Sequence, residues 1–94
     1  MLRITMKETE NEMAIKLEGR IAGPWVAELG RTWKQAAPRL NTKYLLLDLS
    51  NVTYADVSGK QLLKDIYAQT RARLVANTPW TQFLAREIAG NNTD

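Results

Sequence analysis

A continuous apolar run near the middle of the chain is the feature that most constrains its fold. Residues 44 to 49 read Tyr-Leu-Leu-Leu-Asp-Leu, and an unbroken apolar run predicts a strand covered on both faces within a parallel sheet. Two earlier segments, Leu2 to Lys7 and Met13 to Glu18, instead alternate apolar and polar side chains. This alternation predicts a hairpin of two half-buried strands before the central strand.

Apolar residues at three- and four-residue spacing predict three amphipathic helices in the remaining sequence. Proline is tolerated at the first helical position and disrupts a helix interior, so we expect Pro38 to end the first helix. The helices are expected to begin at Pro24, at about Ser58 and after the Asn77-Thr78-Pro79 cap, with a short strand at Leu74 to Ala76 and a last helix closed by Gly90.

The order β-β-α-β-α-β-α predicts an α/β fold. Strands that alternate with helices imply right-handed crossovers. We therefore expect a small, mixed, mostly parallel four-stranded sheet with an antiparallel opening strand and about three helices. A chain of 94 residues has room for one core, so residues 1–94 are expected to form a single domain.

Composition excludes much of the chemistry that small enzymes use. The chain has no histidine and no cysteine, which removes the usual zinc ligands, a Ser-His dyad and a thiolate nucleophile. We expect no catalytic activity, no metal and no cofactor.

Charge and hydropathy also limit the partners and the location. The net charge is +3, but acidic residues are interspersed among the thirteen Lys and Arg, whereas a nucleic-acid surface concentrates positive charge. No apolar window approaches the roughly 18 residues of a membrane span. We expect no nucleic-acid binding, no membrane insertion and a cytoplasmic location.

Function is expected where the carboxyl ends of the parallel strands meet. The loops there are predicted at Gly19 to Pro24, Ser50 to Ser58 and Asn77 to Trp80. The middle loop carries Asp56 and Ser58 at a helix N-terminus, which can hold an anion, although a simple N-cap explains both residues equally well.

The acidic residue Asp48 leaves two interpretations open. Its side chain either points to this functional edge or caps the turn that follows the apolar strand. Asp48 paired with Asp56 would supply only two carboxylates, which is too few ligands to indicate a divalent metal site.

The segment from Leu47 to Gly59, followed by Leu62-Leu63, resembles the signature of the STAS domain, the fold of bacterial anti-sigma factor antagonists. Leu17 to Gly23 and Ala72 to Asn77 are similar to other segments of that family. The resemblance implies a non-catalytic module that binds a protein partner through loop 50–58 and helix 58–71.

The resemblance also implies a switch that this chain lacks. In the family, a partner kinase phosphorylates a Ser or Thr that immediately follows the aspartate matching Asp56, and here that position is Val57. Ser58 is the remaining candidate for phosphorylation. The candidate switch loop therefore comprises Asp48, Asp56, Val57, Ser58 and Gly59.

Three further features bear on the expected interaction surface. Trp25, Lys60 and Trp80 are candidates for its rim. Ala72 stands where the family usually has glycine, so we expect a different turn there, since only glycine adopts positive φ without penalty. The last strand is expected to leave an exposed sheet edge, which offers a route to a homodimer.

Three functional hypotheses follow. The first is a regulatory module that binds an anti-sigma factor or a related kinase-like regulator. The second is an accessory STAS subunit that binds the ATPase of a phospholipid-type ABC transport complex. The third is a module that binds a small ligand, a nucleotide or a lipid, at the N-terminus of the second helix.

Overall fold

A computed structural model describes residues 1–90 and confirms the predicted order of elements. The strands and helices are β1 (Leu2–Glu8), β2 (Glu12–Ile21), α1 (Pro24–Leu40), β3 (Tyr44–Ala55), α2 (Val57–Thr70), β4 (Arg73–Val75) and α3 (Pro79–Ala89).

The four strands form one mixed sheet in the order β1-β2-β3-β4. β1 pairs with β2 antiparallel, with Leu2 opposite Gly19 and Glu8 opposite Met13. The pairs β2–β3 and β3–β4 are parallel. The predicted fold class is therefore confirmed, including the antiparallel opening strand.

Within residues 1–90 the helices cover only one face of the sheet, and over this part of the chain the prediction that β3 is covered on both faces is wrong. Buried and more exposed residues alternate along β3, where Leu45 and Leu47 are buried while Leu46 and Asp48 are only half-buried. One core cluster contains the buried strand residues together with buried residues of all three helices. The molecule is therefore a two-layer α/β structure with one open sheet face.

β3 also extends further than its apolar run, so the predicted loop from Ser50 to Ser58 is mostly strand. Its carboxyl half pairs with β2, with Val52 opposite Gly19 and Ala55 opposite Ile21. The segment is a strand although its composition is typical of a turn, because strand formation depends on pairing and packing more than on local propensity. Only Asp56 separates β3 from α2.

The ends of the helices differ from prediction in two places. α1 continues through Pro38 to Leu40, so this proline does not end the helix. The turn after α2 takes its positive φ at Arg71, with φ of 53°, rather than at Ala72, so Ala72 needs no glycine-like conformation. The expected starts at Ser58 and Leu74 each lie one residue too late, and β2 runs on to Ile21, so the first part of the predicted loop from Gly19 to Pro24 is strand.

β4 is short, and Trp80 interacts with the part of β3 that lies beyond it. β4 pairs with β3 only from Leu46 to Asp48. Further along, the indole N–H of Trp80 at the start of α3 donates to the carbonyl of Val52 at 3.0 Å. The indole thus satisfies a backbone acceptor in a stretch of β3 that has no β4 residue beside it.

Replacing Trp80 with Phe is expected to lower the free energy of unfolding by about 1 kcal/mol, because it keeps an aromatic ring but removes this donor. Urea denaturation followed by circular dichroism measures the change. Gln82→Ala, which changes an exposed side chain on the same helix, is the control. Equal midpoints for Trp80→Phe and the wild type would show that the hydrogen bond contributes nothing.

Candidate functional site

Asp56 joins the N-termini of α1 and α2 at the carboxyl ends of β2 and β3. Its Oδ1 accepts the backbone N–H of Gly59 at 2.7 Å, and its Oδ2 accepts the N–H of Gly23 at 3.1 Å. Its own N–H donates to the carbonyl of Ile21 at 3.1 Å. Asp56 is thus the N-cap of α2 and also fixes the residue that precedes α1.

These hydrogen bonds lower the pKa of Asp56 below its ordinary value. The N–H of Gly59 makes the largest contribution and that of Gly23 the next, because both favour the charged carboxylate. The two oxygens are therefore already engaged within the protein. The arrangement supports the N-cap interpretation of Asp56, and Ser58 is not the cap.

Gly59 allows α2 to approach the end of β2 closely. A Cβ at this position would collide with the backbone carbonyl oxygen of Ile21 and would lie 2.9 Å from the Cγ2 of the same residue. Gly59 is buried in the first turn of α2. Its role in this sequence motif is therefore steric, because a backbone carbonyl cannot move aside as a flexible side chain can.

Substitution of two helical glycines separates this steric role from helix propensity. Gly59→Ala is expected to lower the free energy of unfolding by about 1–3 kcal/mol through overpacking. Gly30→Ala in α1 meets only the Cδ2 of Leu62 at 3.8 Å, so it is expected to raise stability by about 0.5–1 kcal/mol. Chemical denaturation of both variants tests this, and effects of the same sign would contradict it.

Removal of the Asp56 carboxylate is expected to change how stability depends on pH. A lowered folded-state pKa means that the contribution of Asp56 is fully present above its ordinary value of 3.8 and is lost as pH falls through the lower folded value. Asp56→Ala should therefore lower the melting temperature by several degrees at neutral pH, and the difference from wild type should shrink below about pH 4.

Thermal melts of both proteins between pH 2 and pH 7, about the range in which carboxylates titrate, provide the measurement. Glu8, whose pKa is lowered by its hydrogen bond to Lys43, is present in both proteins, so its titration largely cancels in the difference. A difference that stays constant with pH would mean that the carboxylate charge plays no part.

The first residue of α2 presents an apolar side chain to solvent. Val57 is 84% exposed, and the neighbouring Ser58 is exposed as well. Asp56 turns inward between them and the sheet, towards Gly23 and Gly59. The surface at this helix end is therefore formed by Val57 and Ser58 rather than by the aspartate.

Lys60 and Phe83 lie together where α2 meets α3. The Nζ of Lys60 is 5.9 Å from the ring centroid of Phe83 and 3.0 Å from Oε1 of Glu87. Phe83 is 46% exposed, and its ring centroid is 6.3 Å from that of Trp80. We call the surface formed by Val57, Ser58, Lys60 and Phe83 the α2 patch.

The structure does not bring all the predicted site residues together. Trp25 lines a groove beside Ile4 and Met6 of β1, whereas Trp80 contacts β3, two strands away. Asp48 lies within β3 opposite Lys16 and Val75, roughly 26 Å along the strand from Asp56 at about 3.3 Å per residue. Its Oδ1 accepts the N–H of Ser50 at 3.0 Å, a local contact within β3, because the turn that was expected after the apolar run is strand instead.

Phe83 is the surface residue that sequence analysis missed. Apolar side chains of the three amphipathic helices were expected to face the core, but the buried residues of α3 are Thr81, Leu84 and Ile88, and Phe83 is not among them. At 3.6 residues per turn, Phe83 points roughly 130° away from the centre of that buried stripe. A helical projection of α3 would therefore have identified it as exposed.

Two general features complete the description of the site. Within residues 1–90, no group of three or more acidic side chains lies close enough together to hold a metal ion. Over the same residues, no helix is both long and apolar enough to span a membrane.

The one-faced mixed sheet, the α2 N-terminus at the end of β3 and the Asp-Val-Ser-Gly turn define a class of small α/β interaction domains. Residues 4–89 match the family model described as "Mlab, STAS domain". The chain therefore belongs to the STAS domain family. A search of curated proteins finds no match.

Two solved structures show the same fold. One is an anti-sigma factor antagonist from Mycobacterium paratuberculosis, with 18% sequence identity and a TM-score of 0.75 over 98% of this chain and 80% of that one. The other is an uncharacterised protein of the DUF3478 family with a SpoIIAA-like fold from Shewanella loihica, with 10% identity and a TM-score of 0.63 over 98% and 79%. At these identities the likeness concerns the fold.

Proposed function

We propose that this chain is a non-catalytic module that binds a cytoplasmic protein partner through the α2 patch, and that the binding is constitutive. The observation that carries the proposal is the exposure of Val57. A valine that is 84% exposed at the start of a helix leaves apolar surface in water, and burial against a partner removes that surface from water.

The neighbouring residues support a protein partner over a small ligand. Phe83 adds a second exposed apolar side chain, and aromatic residues are enriched at the centres of interfaces. The Asp56 carboxylate already occupies the N-terminus of α2. A nucleotide phosphate or lipid headgroup placed there would meet a negative charge, which disfavours the small-ligand hypothesis at this helix end.

Val57 also supports constitutive binding over binding that is switched by phosphorylation. Valine has no hydroxyl, so the family's phosphorylation step cannot occur at this residue. Ser58 is exposed and is the remaining acceptor. A phosphate there would add about 1.5 to 2 negative charges next to the Asp56 carboxylate, so we propose that Ser58 is not the site of a routine switch.

Two partner classes remain, and constitutive binding favours one of them. In the family's usual cycle, phosphorylation releases the anti-sigma factor or kinase-like regulator. Val57 has no hydroxyl to phosphorylate, so this release step is absent here. An ATPase of a transport complex would instead hold a STAS subunit permanently, so constitutive binding favours this second candidate. Both partners would bind the same α2 patch.

Self-association through a sheet edge belongs to the same proposal. Within the described residues the sheet ends at β1 and β4, and β4 has only three residues while β1 has seven. An unpaired strand can template pairing with another chain. If the module forms a homodimer by strand pairing, β1 therefore offers the longer edge.

Replacing Val57 with Asp is expected to weaken partner binding by about tenfold or more, because an unpaired carboxylate buried in an interface carries a large desolvation cost. Co-expression with candidate anti-sigma kinases and transport ATPases, followed by pull-down and isothermal titration calorimetry, measures the loss. Ala68→Asp introduces the same charge on an exposed position near the other end of α2 and is the matched control.

Val57→Thr completes the experiment, because it restores a hydroxyl with almost unchanged shape. We expect this variant to bind like the wild type, and a kinase partner that phosphorylates it would identify the regulatory class. Stable capture of a transport ATPase would identify the assembly class. If Val57→Asp bound either partner with the affinity of the wild type, the α2 patch would not be part of the interface.

A further inference from the structure

A second pocket lies at the end of the sheet opposite the α2 patch. It has a volume of about 320 Å³ and is lined by residues where β2, β3 and β4 begin, together with the end of α2. Three of its side chains are cationic, Lys43, Arg71 and Arg73, and Glu12 is its one acidic lining residue. The pocket shares no residue with the α2 patch.

The cations of this pocket are only partly neutralised. The Nζ of Lys43 lies 2.5 Å from Oε2 of Glu8. In contrast, neither Arg71 nor Arg73 forms an ion pair with a carboxylate within residues 1–90. The guanidinium of Arg71 instead lies 5.5 Å from the ring centroid of Tyr67. Two arginines therefore remain available to an anion in a pocket that already carries a lysine.

The backbone at Arg71 provides an independent observation. Arg71 closes α2 in the left-handed conformation, with φ of 53°, and its N–H donates to the carbonyl of Tyr67 at 2.7 Å. Glycine is the usual residue at such a position because it adopts this conformation without strain. The fold therefore does not require arginine here, and the side chain places a guanidinium at the pocket despite the backbone cost.

Tyr44 gives the pocket an aromatic wall. It begins β3 and is 79% exposed, although its N–H is fixed by the carbonyl of Asn11 at 3.0 Å. Its hydroxyl can donate a hydrogen bond, and its ring offers a flat surface to the organic part of a ligand. Arginine side chains bind phosphate oxygens in pairs of parallel hydrogen bonds.

We propose that this pocket binds a phosphate monoester or diphosphate group, held by Arg71 and Arg73 with Lys43 beside them and Tyr44 against the attached organic group. The multiple charge of such a group matches two unpaired guanidinium groups better than a single carboxylate does. The site is independent of the proposed partner interface, because it lies at the other end of the sheet.

The first test is an NMR titration of the full chain with pyrophosphate. Saturable shifts of the backbone amides near residues 43–45 and 70–73 are expected, and they should weaken as salt is added. The absence of saturable shifts at roughly 10 mM pyrophosphate, a concentration that would largely occupy a site with a dissociation constant of about 1 mM, would overturn the proposal.

Matched variants separate a built site from general attraction. Arg71→Gly with Arg73→Gln is expected to raise the dissociation constant by about tenfold or more, and glycine tolerates the positive φ at position 71, so the fold should persist. Arg3→Gln with Lys64→Gln removes the same charge from exposed positions elsewhere and should leave the constant nearly unchanged. Equal weakening in both double variants would overturn the proposal.

Arg71 lies at the C-terminus of α2, where a cation stabilises a helix by interacting with its dipole. A melting curve of each variant therefore accompanies the binding measurement. A fall in stability with unchanged pyrophosphate binding would assign Arg71 to that structural role and overturn the proposal.

Co-sedimentation with phosphatidylcholine vesicles, with and without phosphatidate, then identifies the source of the phosphate. Binding to phosphatidate vesicles that the Arg71→Gly, Arg73→Gln protein loses indicates a lipid headgroup, and binding of pyrophosphate alone indicates a soluble phosphate.

Discussion

The geometry at the carboxyl end of the sheet depends on the two hydrogen bonds that Asp56 accepts from different helices. Oδ1 takes the N–H of Gly59 in α2, and Oδ2 takes the N–H of Gly23, which precedes α1. Because β3 leads into α2 through Asp56 alone, this carboxylate fixes where α2 begins relative to β2. Gly59 then permits close contact with Ile21. The outward position of Val57 follows from this arrangement, since the turn directs Asp56 inward and leaves the next residue in solvent.

The sequence predicted the element order well because each element carries its own local signal. Proline at the start of α1 and of α3, and the Thr78 cap with its hydrogen bond from the N–H of Thr81, are local features that act over three or four residues. The carboxyl half of β3 was missed because its strand conformation comes from pairing with β2, which is not encoded in the segment itself. The open face of β3 was missed for a related reason, since an apolar run does not show whether a second helix layer exists.

The candidate site was predicted less well than the fold, because it depends on which side chains share a surface. Asp56 and Gly59 were identified from their motif, and their contacts now explain both residues. Trp25 was expected at this edge because it follows one of the loops there, but it lines a groove beside β1. No local sequence pattern specifies which strand a helix will pack against. Trp80 was expected at a rim, yet its indole is engaged with Val52, so part of its role is to complete β3.

The two ends of the sheet differ in how far their polar groups are satisfied within the chain. At the carboxyl end, Asp56 neutralises the N-terminus of α2, and the exposed surface there includes the apolar side chains of Val57 and Phe83. At the amino end, Arg71 and Arg73 line a pocket without carboxylate partners among the described residues. Apolar surface favours a protein partner, whereas unpaired guanidinium groups favour an anion. A small domain with one core can therefore present two separate surfaces of different chemistry, and occupation of one end need not obstruct the other.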